Sequence, residues 1–85
     1  MITIYGRDNC YYCKGATELL DSIGWKYSYL KVPDDISRDD FLDLIGPAVR
    51  PTVPQVYDGS KHIGGYSELK EYVENTLGGY GEGAL

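Results

Sequence analysis

Cys10 and Cys13, with Tyr11-Tyr12 between them, are the only cysteines in the chain. At that spacing one thiolate and one neighbouring thiol can close a small disulfide, taking up and releasing two electrons. As a structural crosslink the pair would do little, because the chain-entropy stabilisation of a disulfide grows with the loop it closes. Zinc asks for about four ligands, and the chain offers one further candidate, His62, with no second Cys pair. The spacing therefore points to redox work and to no metal site.

With 85 residues the chain is expected to form one domain with a modest core. A formal net charge of −5 argues against general nucleic-acid binding, which needs a basic face. The acidic residues gather at Asp34, Asp35, Asp39, Asp40 and Asp43, as on a solvated helix face. No apolar run is long enough to span a membrane, and Met1-Ile2-Thr3-Ile4-Tyr5 lacks the basic flank and apolar length of a signal peptide. The expected location is the cytoplasm, where reducing thiol pools make a lone Cys-x-x-Cys catalytic rather than structural.

The elements that must carry the pair can be read from periodicity. Ile2-Thr3-Ile4-Tyr5 alternates like a short strand and stops at Gly6. Ala16, Leu19, Leu20 and Ile23 then recur at helical spacing, with Gly24 placed to end the helix and the cysteines at its start. Trp25 to Val32 predicts a second strand, closed by Pro33; Ser37 predicts the cap of a helix turning Phe41, Leu42 and Ile45 inward, stopped by Gly46-Pro47. Val53 to Tyr57 and Lys61 to Ile63 predict a hairpin through Asp58-Gly59-Ser60. Ser67 predicts the cap of a last helix with Leu69, Tyr72, Val73, Thr76 and Leu77 on one face. The domain so read covers residues 1–77, and 78–85 reads as a flexible Gly-rich tail. The order is βαβαββα, an α/β fold with a mixed sheet flanked by helices, whose first two strands are parallel through a right-handed crossover.

These residues carry a resemblance. Arg7-Asp8-Asn9-Cys10-Tyr11-Tyr12-Cys13, Thr52-Val53-Pro54-Gln55-Val56 and His62-Ile63-Gly64-Gly65-Tyr66-Ser67 resemble, in order and spacing, the motifs of dithiol glutaredoxins, over roughly residues 1–77. The short, tyrosine-rich form is similar to bacterial and bacteriophage members. The resemblance implies a thioredoxin-like fold with four strands and three helices. It also implies a glutathione-dependent thiol-disulfide oxidoreductase, with glutathione as co-substrate and no tightly bound cofactor.

Physical roles can be set beside it. Cys10, at the edge of the first helix, meets unpaired N–H groups and the positive dipole end, which favour a thiolate. Arg7 is the nearest cation in sequence and Lys14 lies just beyond the pair. Cys10 is thus expected to attack and Cys13, one turn inside, to resolve. By the resemblance, Thr52, Val53 and Pro54 form a cis-proline edge whose Val53 backbone pairs with the cysteinyl unit of glutathione. Gly65, Tyr66 and Ser67 receive its γ-glutamyl end, Tyr12 walls the groove, and Arg7 and Arg50 are further contacts, with Arg38 a second candidate for the glycine carboxylate.

Three positions depart from the family pattern: Tyr11 stands where the most familiar active site has proline, Pro51 separates Arg50 from Thr52 where many relatives carry a basic residue immediately before it, and Glu68 stands where members often have aspartate. Expected partners are glutathione and disulfide-bearing proteins, ribonucleotide reductase among them, met by a monomer. Two other readings share the cysteine pair. One is a thioredoxin-like hydrogen donor served by a flavoprotein reductase; the other is a glutathione-ligated iron-sulfur carrier bridging two chains through Cys10.

Overall fold

A computed structural model describes residues 1–77; the tail predicted at 78–85 lies outside the described residues. The elements are β1 (Ile2–Gly6), α1 (Tyr11–Ile23), β2 (Tyr27–Lys31), α2 (Arg38–Ile45), β3 (Gln55–Asp58), β4 (Lys61–Gly64) and α3 (Tyr66–Thr76). The strands form one mixed sheet in the order β2-β1-β3-β4. β1 runs parallel to β2 and antiparallel to β3, and β3 is antiparallel to β4. This is the mixed sheet that the order of elements implied, in the thioredoxin-like arrangement that the resemblance implied.

Alternation along β1 decides the layers, because successive side chains point to opposite faces. Ile2 and Ile4 face a core shared with Ala16 and Leu20 of α1, Val56 of β3, and Leu69 and Val73 of α3. Removing a side chain such as Leu20 from water contributes about 1.5–3 kcal/mol. Tyr5 points the other way, into contact with Phe41 of α2 at 6.1 Å and Tyr57 of β3 at 5.7 Å between ring centroids. So α1 and α3 cover one face and α2 the other.

Several boundaries differ from the sequence expectation for local reasons. Trp25 does not begin the second strand: its N–H bonds Leu20 O at 3.0 Å, completing the αL cap at Gly24, and pairing starts only at Tyr27. The strand expected from Val53 begins at Gln55, since Pro54 brings no ladder donor. Ser67 is not the cap of α3. The N-cap is Gly65, whose N–H bonds the Glu68 carboxylate at 2.8 Å, and Ser67 lies inside the first turn. Thr76 and Leu77 are exposed rather than core-facing, and Leu42 is only half-buried. The Ser37 cap holds as read, its hydroxyl accepting Asp40 N–H at 3.1 Å.

Candidate active site

β1 ends at Gly6, and the chain must turn sharply to begin α1 at Tyr11. Asn9 makes that turn with a positive φ of 55°, a region Asn tolerates better than most side chains. Cys10 follows as the N-cap of α1, extended at φ −114°, ψ 112°. Its Sγ accepts the Cys13 N–H at 3.2 Å, and its carbonyl accepts Lys14 N–H at 3.0 Å.

The two cysteines are joined as a disulfide, with Cα atoms 5.2 Å apart. Cys13 is only 1% exposed, whereas Cys10 is half-buried. Of the two sulfurs, the one at the helix edge is therefore the one a substrate can reach. It is also the one that accepts the Cys13 N–H at the start of α1, where a backbone donor and the helix dipole stabilise an anion once the bond is reduced.

Gly6 is where the strand comes closest to this chemistry. A Cβ added there would lie 3.0 Å from Cys13 Sγ and would collide with the Tyr29 hydroxyl. That hydroxyl donates to Arg7 O at 3.2 Å, tying β2 to the loop that carries the cysteines. Burial raises the Tyr29 phenol above its ordinary pKa, so it keeps its donating proton.

The Thr52-Val53-Pro54 segment lies against the pair. The Val53–Pro54 peptide is cis, and Val53 O is 4.0 Å from Cys10 Sγ. A second cis bond, Val32–Pro33, was not foreseen. Beside the segment opens a cleft of about 570 Å³ lined by Arg7, Arg38, Phe41, Leu42, Thr52 and Val53, with Val32, Pro33 and Pro51 completing it. It combines apolar walls with two guanidinium groups. Arg50 does not line it.

On the α1–α3 side lies a second cleft of about 650 Å³, bounded by Tyr11, Tyr12, Lys14, Gly15, Leu19 and Tyr66, with Glu18 at its edge. Tyr12 and Tyr66 stand 6.0 Å apart between centroids, and Tyr11 packs edge-on to Tyr12 at 5.3 Å. Tyr11 is 84% exposed and Tyr12 59%. Gly15 lets the Tyr66 ring lie close over α1, since a Cβ there would stand 3.2 Å from it. Gly65 is half-buried and Ser67 exposed at the start of α3, whose first-turn N–H groups lack intrahelical partners.

The structure thus brings Arg7, Cys10, Cys13, Thr52, Val53 and Pro54 into one neighbourhood, flanked by Tyr12, Tyr66 and Gly65. The sequence assigned no role in the site to Asn9, Tyr29, Phe41 or Gln55, although Phe41 was expected to face inward. An Asn just before a helix cap is the one signal among these that could have been read.

A Cys-x-x-Cys pair at a helix N-cap, set on a thioredoxin-like sheet beside a cis-proline loop, defines a thiol-disulfide oxidoreductase. The glutaredoxin family model matches residues 2–63. Glutaredoxin 1 of Escherichia coli is 31% identical over 80 residues, spanning 87% of this chain and 93% of that protein. Among solved structures, glutaredoxin 1 from Francisella tularensis complexed with cacodylate superposes with a TM-score of 0.74 at 30% identity, covering 89% of this chain and 94% of its own. A buckwheat glutaredoxin-glutathione complex also reaches 0.74, at 25% identity, covering 92% of this chain and 70% of its own. The chain belongs to the glutaredoxin family, whose members use glutathione as a substrate.

Proposed function

We propose that this chain passes electrons from glutathione to protein disulfides and glutathionylated thiols, with Cys10 attacking and Cys13 resolving. The observation that carries this is the asymmetry of the pair: Cys10 is accessible at the helix cap, and Cys13 is sealed at 1% exposure. The Cys10 thiolate attacks one sulfur of the substrate disulfide, forming a mixed disulfide and releasing the other sulfur as thiolate. Cys13 then displaces the second substrate thiolate, closing Cys10–Cys13. Two glutathione molecules reopen that bond and leave as glutathione disulfide.

Glutathione lies across the cis-proline edge in this reading. Val53 offers its backbone to the cysteinyl unit, with Thr52 and Pro54 completing that edge. Gly65, Tyr66 and Ser67 receive the γ-glutamyl carboxylate at the α3 N-terminus, and Tyr12 walls the sulfur. For the glycine carboxylate, Arg7 and Arg38 are favoured over Arg50, because both line the cleft beside Val53. Glu68 already holds Gly65 N–H, so it orders the helix start rather than reaching for the ligand's amine. Protein acceptors, ribonucleotide reductase among them, are met by a monomer in the cytoplasm.

The test is to offer the oxidised protein two donor systems separately, with a small mixed disulfide as acceptor. Rapid turnover with glutathione and glutathione reductase, and little with thioredoxin reductase, is expected. The reverse pattern would make it a thioredoxin-like donor and remove the ligand roles of Val53, Tyr66 and Ser67.

A further inference from the structure

Gln55 is the one buried polar side chain among the described residues, at 4% exposure. It opens β3 directly after Pro54 and folds back over the stretch that precedes it. That stretch, from Gly46 to Pro54, contains three prolines, none of which can donate a backbone N–H. The Gln55 carboxamide supplies donors instead: Nε2 is 2.9 Å from Thr52 O, 3.3 Å from Thr52 Oγ1 and 3.4 Å from Arg50 O.

Its other end is fixed as well. Carbonyl oxygens only accept, so the NH2 must face Thr52 and Arg50 and Oε1 must face away. Oε1 lies 2.7 Å from His62 Nε2, which must therefore carry a hydrogen and donate. The register brings His62 opposite Tyr57, and their rings lie 4.8 Å apart at 33°, which sets the imidazole plane. An irregularity in the β3–β4 ladder at Val56/Tyr57 leaves Ile63 as an extra residue on β4. His62 thus stays on the Gln55 face while Ile63 turns to the core.

We propose that Gln55 and His62 are positioning residues for thiol exchange: the imidazole locks the carboxamide, and the carboxamide holds Thr52 and Val53 where an extended thiol substrate pairs with the Val53 backbone. The proposal rests on the reading that Val53 receives the cysteinyl unit of glutathione. Neither side chain needs to touch that ligand. Their effect reaches it through Thr52, one residue before Val53, whose carbonyl sits beside Cys10.

Gln55→Glu keeps the shape but turns a carboxylate oxygen toward the Thr52 and Arg50 carbonyls. It should raise KM for glutathione on the order of tenfold while kcat stays within about twofold. His62→Ala should raise KM by about threefold, and His62→Gln, which keeps a donor, should restore it. Thermal melts identify the folded variants, and His62, being exposed, is the safeguard if Gln55 variants fail to fold. Unmoved KM in folded variants, or a loss confined to kcat, would overturn the proposal. Nitrogen-15 spectra of the neutral imidazole test the clamp without glutathione: a hydrogen on Nε2 is required, and one on Nδ1 alone would sink it. If the wild-type protein ignored glutathione yet kept the Nε2 hydrogen, the glutathione reading would fall. KM for a peptide disulfide would then judge the clamp by the same variants and the same outcomes.

Discussion

The two ends of the sheet use their polar groups in opposite ways. At the end where β1 starts, Asp58 accepts from the Met1 ammonium at 3.2 Å and from the Tyr72 hydroxyl at 2.5 Å. Lys61 Nζ lies 5.3 Å above the Tyr72 ring, and Gly59 N–H closes the hairpin onto Met1 O at 3.0 Å. At the end where β1 finishes, Cys10 sits among helix-start donors, and Arg7 and Arg38 line an open cleft beside Val53. One end satisfies its donors and acceptors internally and so supports stability. The other holds them ready for a substrate, and its geometry comes from glycines, a cap and a buried carboxamide, with Lys31 bridging Asp8 at 3.6 Å and Asp34 at 3.9 Å on its exposed rim.

The largest expected effect separates the two sulfurs of the active end. Cys10→Ser should abolish turnover in every assay. Cys13→Ser should keep single-thiol deglutathionylation and lose reduction of protein disulfides. Rates with a glutathionylated peptide and with a protein disulfide decide it; a Cys13 variant dead in both, with the Cys10 variant active, would invert the roles.

Next in size is the strand end that approaches the disulfide. Gly6→Ala forces its new methyl against Tyr29 and Cys13, an overpacking expected to cost about 1–3 kcal/mol. It should also loosen the Tyr29 to Arg7 tie and so change the alkylation rate of reduced Cys10. An unaltered urea midpoint would mean that Tyr29 swings aside freely, and that this end is less tightly built than its contacts suggest.

A smaller effect distinguishes the arginines. Arg38→Ala should raise KM for glutathione by about threefold to tenfold, in the range of one lost charge-assisted bond at an exposed site. Arg50→Ala should change it by less than about twofold. Steady-state kinetics at low and high salt measure both, and equal effects would return Arg50 to the position the sequence first suggested.

The active end was the more legible of the two in the sequence, and the reason is chemical. Cysteine spacing, Thr52-Val53-Pro54 and the paired glycines are local signals, carried by residues adjacent in the chain. So were the helices, whose stop at Gly24 and cap at Ser37 need only neighbours. What escaped depends on distant or conformational partners. Ser67 looked like a cap because serine usually is one, but Glu68 reaches back to Gly65 and moves the helix start. Arg38 and Arg7 are 31 positions apart in sequence and share a cleft only through the β1–α2 packing. Gln55 read as part of a motif, with nothing to say that it would be buried and bonded to His62.

The smallest effect tests the stabilised end through its pH dependence. The Tyr72 hydrogen bond, with the Met1 ammonium second, holds the Asp58 carboxyl below its ordinary pKa, and the bond to Asp58 raises that of Tyr72. A depressed carboxyl contributes stability that is present above its unfolded value, about 3.9, and is lost as pH falls through the folded value. A raised phenol contributes stability present below about 10 and lost as pH rises through its folded value. Tyr72→Phe removes the phenol's contribution and the larger share of the carboxyl's, leaves the Met1 ammonium on Asp58, and touches nothing near the cysteines. Turnover at neutral pH should therefore match wild type, while the urea midpoint drops. The gap in midpoint should be widest between about pH 5 and 9 and should narrow toward either extreme. Burial also raises Tyr27, Tyr29 and Tyr57, so the alkaline limb is shared among several phenols and the acid limb is the diagnostic one. A gap constant from acid to neutral pH would show that Tyr72 stabilises the fold by packing alone. A fall in turnover would show that the two ends of the sheet are not independent.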